Sequence, residues 1–163
     1  MKKLFGILTV FLGTLLLVSS VPACSCIDAR DVYDTPQKLY DITPTVALVK
    51  LVSLQKQTDN DPYYKIDGYV TFKMIVEKAY KGDIKDGEEL TFEQGGGADC
   101  IWAFRQPNIG SEFLVYLGSK PAKDELWEIP TCSGSISLAE AKTDITFLDK
   151  NIAKKKRAKR SRH

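Results

Sequence analysis

The sequence predicts a mainly β domain: a small closed or nearly closed five-stranded barrel of the OB type, with one helix packed at its C-terminal end. Three observations lead there. Residues 69–80 place Val70, Phe72, Met74 and Val76 on one face and Thr71, Lys73 and Glu77 mostly on the other, the period-two pattern of a half-buried strand. Four further short β-type runs are separated by Gly- and Pro-bearing turns. A single run at helical spacing, Leu138, Ala141, Ile145, Leu148 and Ile152, follows the last of them. With 163 residues, 44% hydrophobic and 27% charged, the chain has the balance of one globular domain plus a tail, which excludes wholesale disorder and low-complexity classes.

The first segment is an address rather than part of the fold. Lys2 and Lys3 precede an apolar run over residues 4–18, and Val21 and Ala23 suit a small-residue cleavage site. Residues 1–23 therefore read as a secretory signal peptide; the run is somewhat short for a membrane anchor. Cleavage after Ala23 makes Cys24 the first mature residue. The competing reading takes Val21-Pro22-Ala23-Cys24 as a loose lipoprotein box that leaves Cys24 acylated. Either way the chain is expected to be exported, whether secreted, periplasmic or held at the cell surface.

The body, residues 24–149, reads as one domain. Residues 46–56, rich in Val and Leu and bounded by Pro44 and a polar stretch ending at Pro62, form the first strand. Residues 69–80 form the second, and Gly82 and Gly87 punctuate the turn that follows. Residues 89–94 form the third, with Leu90 and Phe92 on one face. Gly95-Gly96-Gly97 opens a long loop carrying Cys100 and Trp102; it lacks a following Lys-Ser/Thr and is no phosphate loop. Residues 112–118 form the fourth strand and residues 126–131 the fifth, ending at Cys132. Ser137-Leu138-Ala139-Glu140 has the capping-box form of a helix start. Trp127, on a strand, reads as core, whereas Trp102 either packs on a disulfide or joins a binding surface. Tyr63-Tyr64 falls in a hairpin loop, as a contact tip or simply exposed.

Cys24, Cys26, Cys100 and Cys132 are all the cysteines, an even number in an exported chain, so disulfides are expected. A Cys24–Cys26 ring would be very small and strained, so both N-terminal cysteines are expected to reach across to Cys100 and Cys132. Each bridge would close a long loop, worth about 4–5 kcal/mol by the chain-entropy argument. Two bridges one residue apart would hold a terminus that normally frays. The spacing lacks the paired knuckles of a structural zinc site, so no intrinsic metal is expected.

Charge divides the chain. Residues 24–149 carry 13 basic and 21 acidic side chains, while residues 150–163 carry eight basic ones and no acidic one. The basic C-terminal tail, with Lys154, Lys155, Lys156, Arg157, Lys159, Arg160 and Arg162, suits a polyanionic glycan or lipid surface, or else a solvated end. Export makes nucleic acid the least expected partner. The one histidine, His163, is the last residue, which argues against a histidine-based triad or a multi-histidine metal site. The acidic run Asp83, Asp86, Glu88 and Glu89 sits around a Gly-punctuated turn and reads as solvated. No enzyme is expected, and no cofactor.

Several segments resemble the tissue inhibitors of metalloproteinases (TIMPs) and bacterial netrin-like proteins of that superfamily. They are the mature start Cys24-Ser25-Cys26, the strand at residues 46–56, Lys78-Ala79-Tyr80-Lys81-Gly82, Ala98-Asp99-Cys100, Gly110 before Phe113-Leu114-Val115-Tyr116, and Cys132-Ser133-Gly134 before Leu138-Ala139-Glu140-Ala141. The resemblance covers residues 24–149 and implies an OB-type, netrin-like barrel with bridges Cys24–Cys100 and Cys26–Cys132. It also implies a secreted TIMP-like metalloprotease inhibitor, in which the α-amino nitrogen and carbonyl oxygen of Cys24 chelate the catalytic zinc of a target metalloendopeptidase. Ser25 would enter that protease's specificity pocket. The animal inhibitors carry a third cysteine pair and a His-Pro step that this chain lacks. The alternative implied role is a cell-surface or extracellular netrin-like module that binds polyanions through the basic tail.

Overall fold

The computed structural model describes residues 27–56, 68–96 and 100–160, with side chains of the last helix as far as Asn151. The alternating runs form strands where the pattern places them. β1 (Thr45–Lys56) lies at the centre of a five-stranded antiparallel sheet of order β3-β2-β1-β4-β5, with β2 (Tyr69–Lys81), β3 (Glu89–Glu93), β4 (Glu112–Leu117) and β5 (Ile136–Ser137). The domain is mainly β, and one long helix ends it.

A register slip divides the side chains between two cores. Val49 pairs with Val76, but Leu48 pairs with Lys78, so Glu77 is an extra residue on β2. One such residue inverts which side chains face inward. Phe72, Met74 and Val76 therefore join Ala47, Val49, Leu51, Leu90, Phe92, Val115 and Trp127 in the core on one side of the sheet. Tyr80, unpaired at a second slip between the Ala47–Ala79 and Val46–Lys81 pairs, joins Val46, Leu114 and Tyr116 on the other side.

That second side is covered by helices. α1 (Ala29–Val32) and α2 (Pro36–Ile42) occupy a stretch to which the sequence pattern assigns no element. Asp28 accepts from the Arg30 N–H at 2.7 Å, and Thr35 caps α2 with Pro36 in its first turn, where a missing N–H costs nothing. α2 buries Leu39 and Tyr40.

α3 (Lys142–Arg160) starts later than the capping-box pattern suggests and runs past residue 150, where the sequence places the start of the tail. Residues 138–141 form turns, with the Ala141 N–H on the Ser137 carbonyl. Only half of the capping box forms. The Ser137 hydroxyl donates to the Glu140 carboxylate at 2.6 Å instead of accepting from the helix, and the Ser137 N–H reaches the same oxygen at 3.3 Å. α3 buries Ala141's neighbour in space Leu148 and, unexpectedly, Asp144.

The fifth strand is not the one the pattern picks. Residues 126–131 make isolated bridges only: Trp127 parallel to Phe92, and Pro130 antiparallel to Ile101. Pro130 has no N–H to donate, which interrupts a ladder. The strand that pairs with β4 comes after Cys132. This one stretch of chain still touches both edges of the sheet. Trp127 donates to the Thr91 carbonyl at 3.0 Å and accepts from the Glu93 N–H at 2.8 Å, and β5 then pairs with β4. The ladder itself is not closed into a barrel.

Candidate functional site

The two described cysteines lie together at one end of the domain. The Thr131 N–H and hydroxyl both donate to the Cys100 carbonyl, at 2.7 and 3.1 Å, so Cys100 sits beside the residue that precedes Cys132. Both cysteines are disulfide-bonded, and among the described residues no cysteine is free. Cys24, Ser25 and Cys26 lie outside the described residues, so the expected pairing and the expected zinc-chelating step do too.

Local sequence explains how Cys100 is held. Its φ of +58° is left-handed, a conformation that side chains rarely adopt, so it depends on its surroundings for support. The support comes from both sides. Trp102 donates to the Ile129 carbonyl at 2.8 Å, and Gly95 donates to the Trp102 carbonyl at 3.0 Å. Gly95 is needed at that point, because a Cβ there would collide with the Ile101 carbonyl. Gln94, fully buried, bonds the Phe104 backbone twice. Residues 100–104 are thus held between the end of β3 and residues 129–131.

The N-terminal segment runs onto the same place. The Ala29 N–H donates to the Cys132 carbonyl at 2.9 Å. Gly134, at φ +80°, lies against this segment and α2; an added Cβ would meet Leu39 at 2.8 Å and the Arg30 stem at 3.2 Å. Arg30 then reaches Asp144 at 2.8 Å, and the same Asp144 oxygen accepts from the Tyr116 hydroxyl at 2.8 Å. Asp144 is 2% exposed, so this is a buried carboxylate held by two donors. Burial first, and then the bond to Asp144, pushes the Tyr116 phenol well above its ordinary range. Burial and Asp149 do the same to Tyr80. The Glu140 carboxyl is held below its ordinary value by the Ser137 bonds and then by the nearby Arg30 charge.

Trp102 is half-buried, edge-on to Phe104 and Phe113. With Ile101, Phe113, Ile136 and Glu140 it lines an open cleft of about 420 Å³ beside the cysteine end. Trp127 is buried in the core, 7% exposed. Tyr63 and Tyr64 lie outside the described residues.

The basic residues fall on α3 as far as Arg160, so Lys154, Lys155, Lys156, Arg157, Lys159 and Arg160 belong to a continuing helix; Arg162 lies beyond the described residues. The acidic turn has structural partners. Asp86 accepts from the Ala79 N–H, Glu88 from the Lys85 N–H and Lys120, and Glu89 from Lys73.

Among the described residues no group of three or more His, Cys, Asp or Glu is placed to hold a metal ion, and no helix is long and apolar enough to cross a membrane. The sequence pattern missed Gln94, Arg30 and Asp144. Of these, Asp144 left a signal: it stands three residues after Ala141 and four before Leu148, on the apolar stripe itself. No family model matches this chain, and no curated protein matches it.

Proposed function

We propose that the chain is an exported TIMP-like inhibitor of a zinc metalloendopeptidase, an OB-type netrin-like domain that presents the α-amino and carbonyl groups of Cys24 to the target's zinc. The observation that carries this reading is the meeting of the N-terminal segment with the cysteine end. Ala29 is hydrogen-bonded to Cys132, and Cys132 lies next to Cys100, with both cysteines disulfide-bonded. A chain held at Ala29 leaves few residues to be ordered when Cys24 docks. The chemistry is permissive, since a catalytic zinc keeps an open position and an α-amine with a pKa of about 8 loses its proton to a metal at modest cost. The parallel contact of Trp127 with β3, followed by β5 on β4, supports the OB-type closure.

The test is inhibition of a panel of zinc metalloendopeptidases by the mature protein, against the same protein with one alanine added before Cys24. The reading predicts inhibition of at least one member, weakened by more than about tenfold in the extended form, each tenfold being about 1.4 kcal/mol. Equal potency of the two forms would remove the Cys24 amine from the mechanism.

A second reading is favoured by the course of α3. Its backbone stays helical to Arg160, which concentrates the basic residues 154–160 on one arm. In this reading the arm binds anionic glycans or lipids at the cell surface. Retention on a heparin column that falls steeply with salt, and is lost on truncation after Asn151, supports it. Unchanged retention after truncation removes it.

A further inference from the structure

We infer that Arg30, acting through Asp144, is a positioning residue for the N-terminal segment, a non-covalent clamp beside the cysteine end. The inference deepens the inhibitor reading and rests on it for its functional meaning. Arg30 is four residues from Cys26. Its neighbour Ala29 makes the backbone bond to Cys132. Ala29 and Tyr33 also pack against the core on that side of the sheet, but apolar packing is not directional; a directed polar attachment adds to it and fixes how the segment lies.

Arg30 supplies that attachment. Its guanidinium bonds Asp144 at 2.8 Å, with the Arg30 side chain 35% exposed and that of Asp144 3% exposed. Asp144 is itself held from β4 by the Tyr116 hydroxyl. The clamp thus joins three elements distant in sequence: α1, the strand β4 and the first turn of α3. Glu140 adds a second negative charge felt by Arg30 on the same side. Gly134 completes the seat. The absence of a side chain there lets the Arg30 stem and Leu39 lie close against the backbone that follows Cys132. Losing Arg30 leaves Asp144 with one donor, the Tyr116 hydroxyl, and leaves the segment with the Ala29 backbone bond and the packing of Ala29 and Tyr33.

The experiment uses the mature chain with its disulfides intact. Amide exchange is followed at Ala29 and, as a control, at Val49 in the central strand, for the parent, Arg30→Gln, Arg30→Lys and Asp144→Asn. Inhibition by each is measured on the same metalloprotease. The clamp predicts that Ala29 exchange rises by about tenfold or more in Arg30→Gln while Val49 is unchanged, with partial recovery in Arg30→Lys. Inhibition should weaken in the same order. If Asp144→Asn fails to fold, the two Arg30 variants carry the test. Unchanged Ala29 exchange in Arg30→Gln overturns the clamp, and so does an equal rise at Ala29 and Val49. If the parent inhibits no protease but Ala29 exchange still depends on Arg30, the clamp stands and the inhibitor reading falls.

Discussion

The side chain of Gln94 takes the place of a strand for Phe104. Its Nε2 donates to the Phe104 carbonyl at 2.7 Å, and its Oε1 accepts from the Phe104 N–H at 3.2 Å, with Gln94 fully buried. This pair holds the far end of the segment that begins at Cys100. Gln94→Leu removes both partners and leaves two buried backbone groups unpaired, at about 1–3 kcal/mol each. Urea unfolding should show the midpoint falling accordingly. A midpoint unchanged within error would mean that the segment is held by other contacts.

Gly95→Ala tests the same segment from its other side. The new Cβ meets the Ile101 carbonyl, which is backbone and cannot turn aside. The cost should be about 1–3 kcal/mol, the range for overpacked sites. Thermal melting of Gly95→Ala beside Gly118→Ala separates the two cases, because the Gly118 position is open. The Gly118 change should leave the melting temperature nearly unchanged.

Leu148→Ala removes the most deeply buried apolar side chain among the described residues of α3, 1% exposed and in one cluster with Leu39, Val46, Leu114 and Tyr116. The loss should be about 2–5 kcal/mol. Denaturant titration followed by circular dichroism measures it.

The phenols of Tyr80 and Tyr116 give a dependence on alkaline pH. Both are raised above their ordinary value, chiefly by burial. In the unfolded chain they ionise near pH 10, and in the folded chain only above that. The unfolded state therefore holds fewer protons above that pH, and stability falls as pH rises. Each tyrosine contributes a slope of up to about 1.4 kcal/mol per pH unit between its unfolded and folded values, and nothing below the unfolded one. Urea midpoints taken from pH 8 to 12, with tyrosinate absorbance in parallel, check this. Tyr116→Phe should reduce the slope.

Much of the β framework was legible because alternation or a short continuous apolar run marks it. Phe72, Met74 and Val76 and the run from Phe113 to Leu117 declare their strands through local pattern alone. The fifth strand was not legible. Trp127 and Ile129 look strand-like and are buried, but a strand also needs a partner ladder, and Pro130 breaks it while Ile136 and Ser137 supply it. α1 and α2 were missed although Thr35-Pro36 is a readable helix start, because α2 is only seven residues long and shows no periodic stripe. At the candidate site, the cysteines and the basic run were visible as residue types. The clamp was not, since Arg30 and Asp144 are 114 residues apart and meet only when α3 crosses the sheet.

The account depends above all on a free Cys24 amine at a bridge-held terminus. The intact mass of the protein, purified unreduced from its own host and then reduced, tests this most directly. The account predicts a mass beginning at unmodified Cys24, lighter before reduction by the four hydrogens of two disulfides. An added acyl mass on Cys24, or a terminus starting elsewhere, would contradict it.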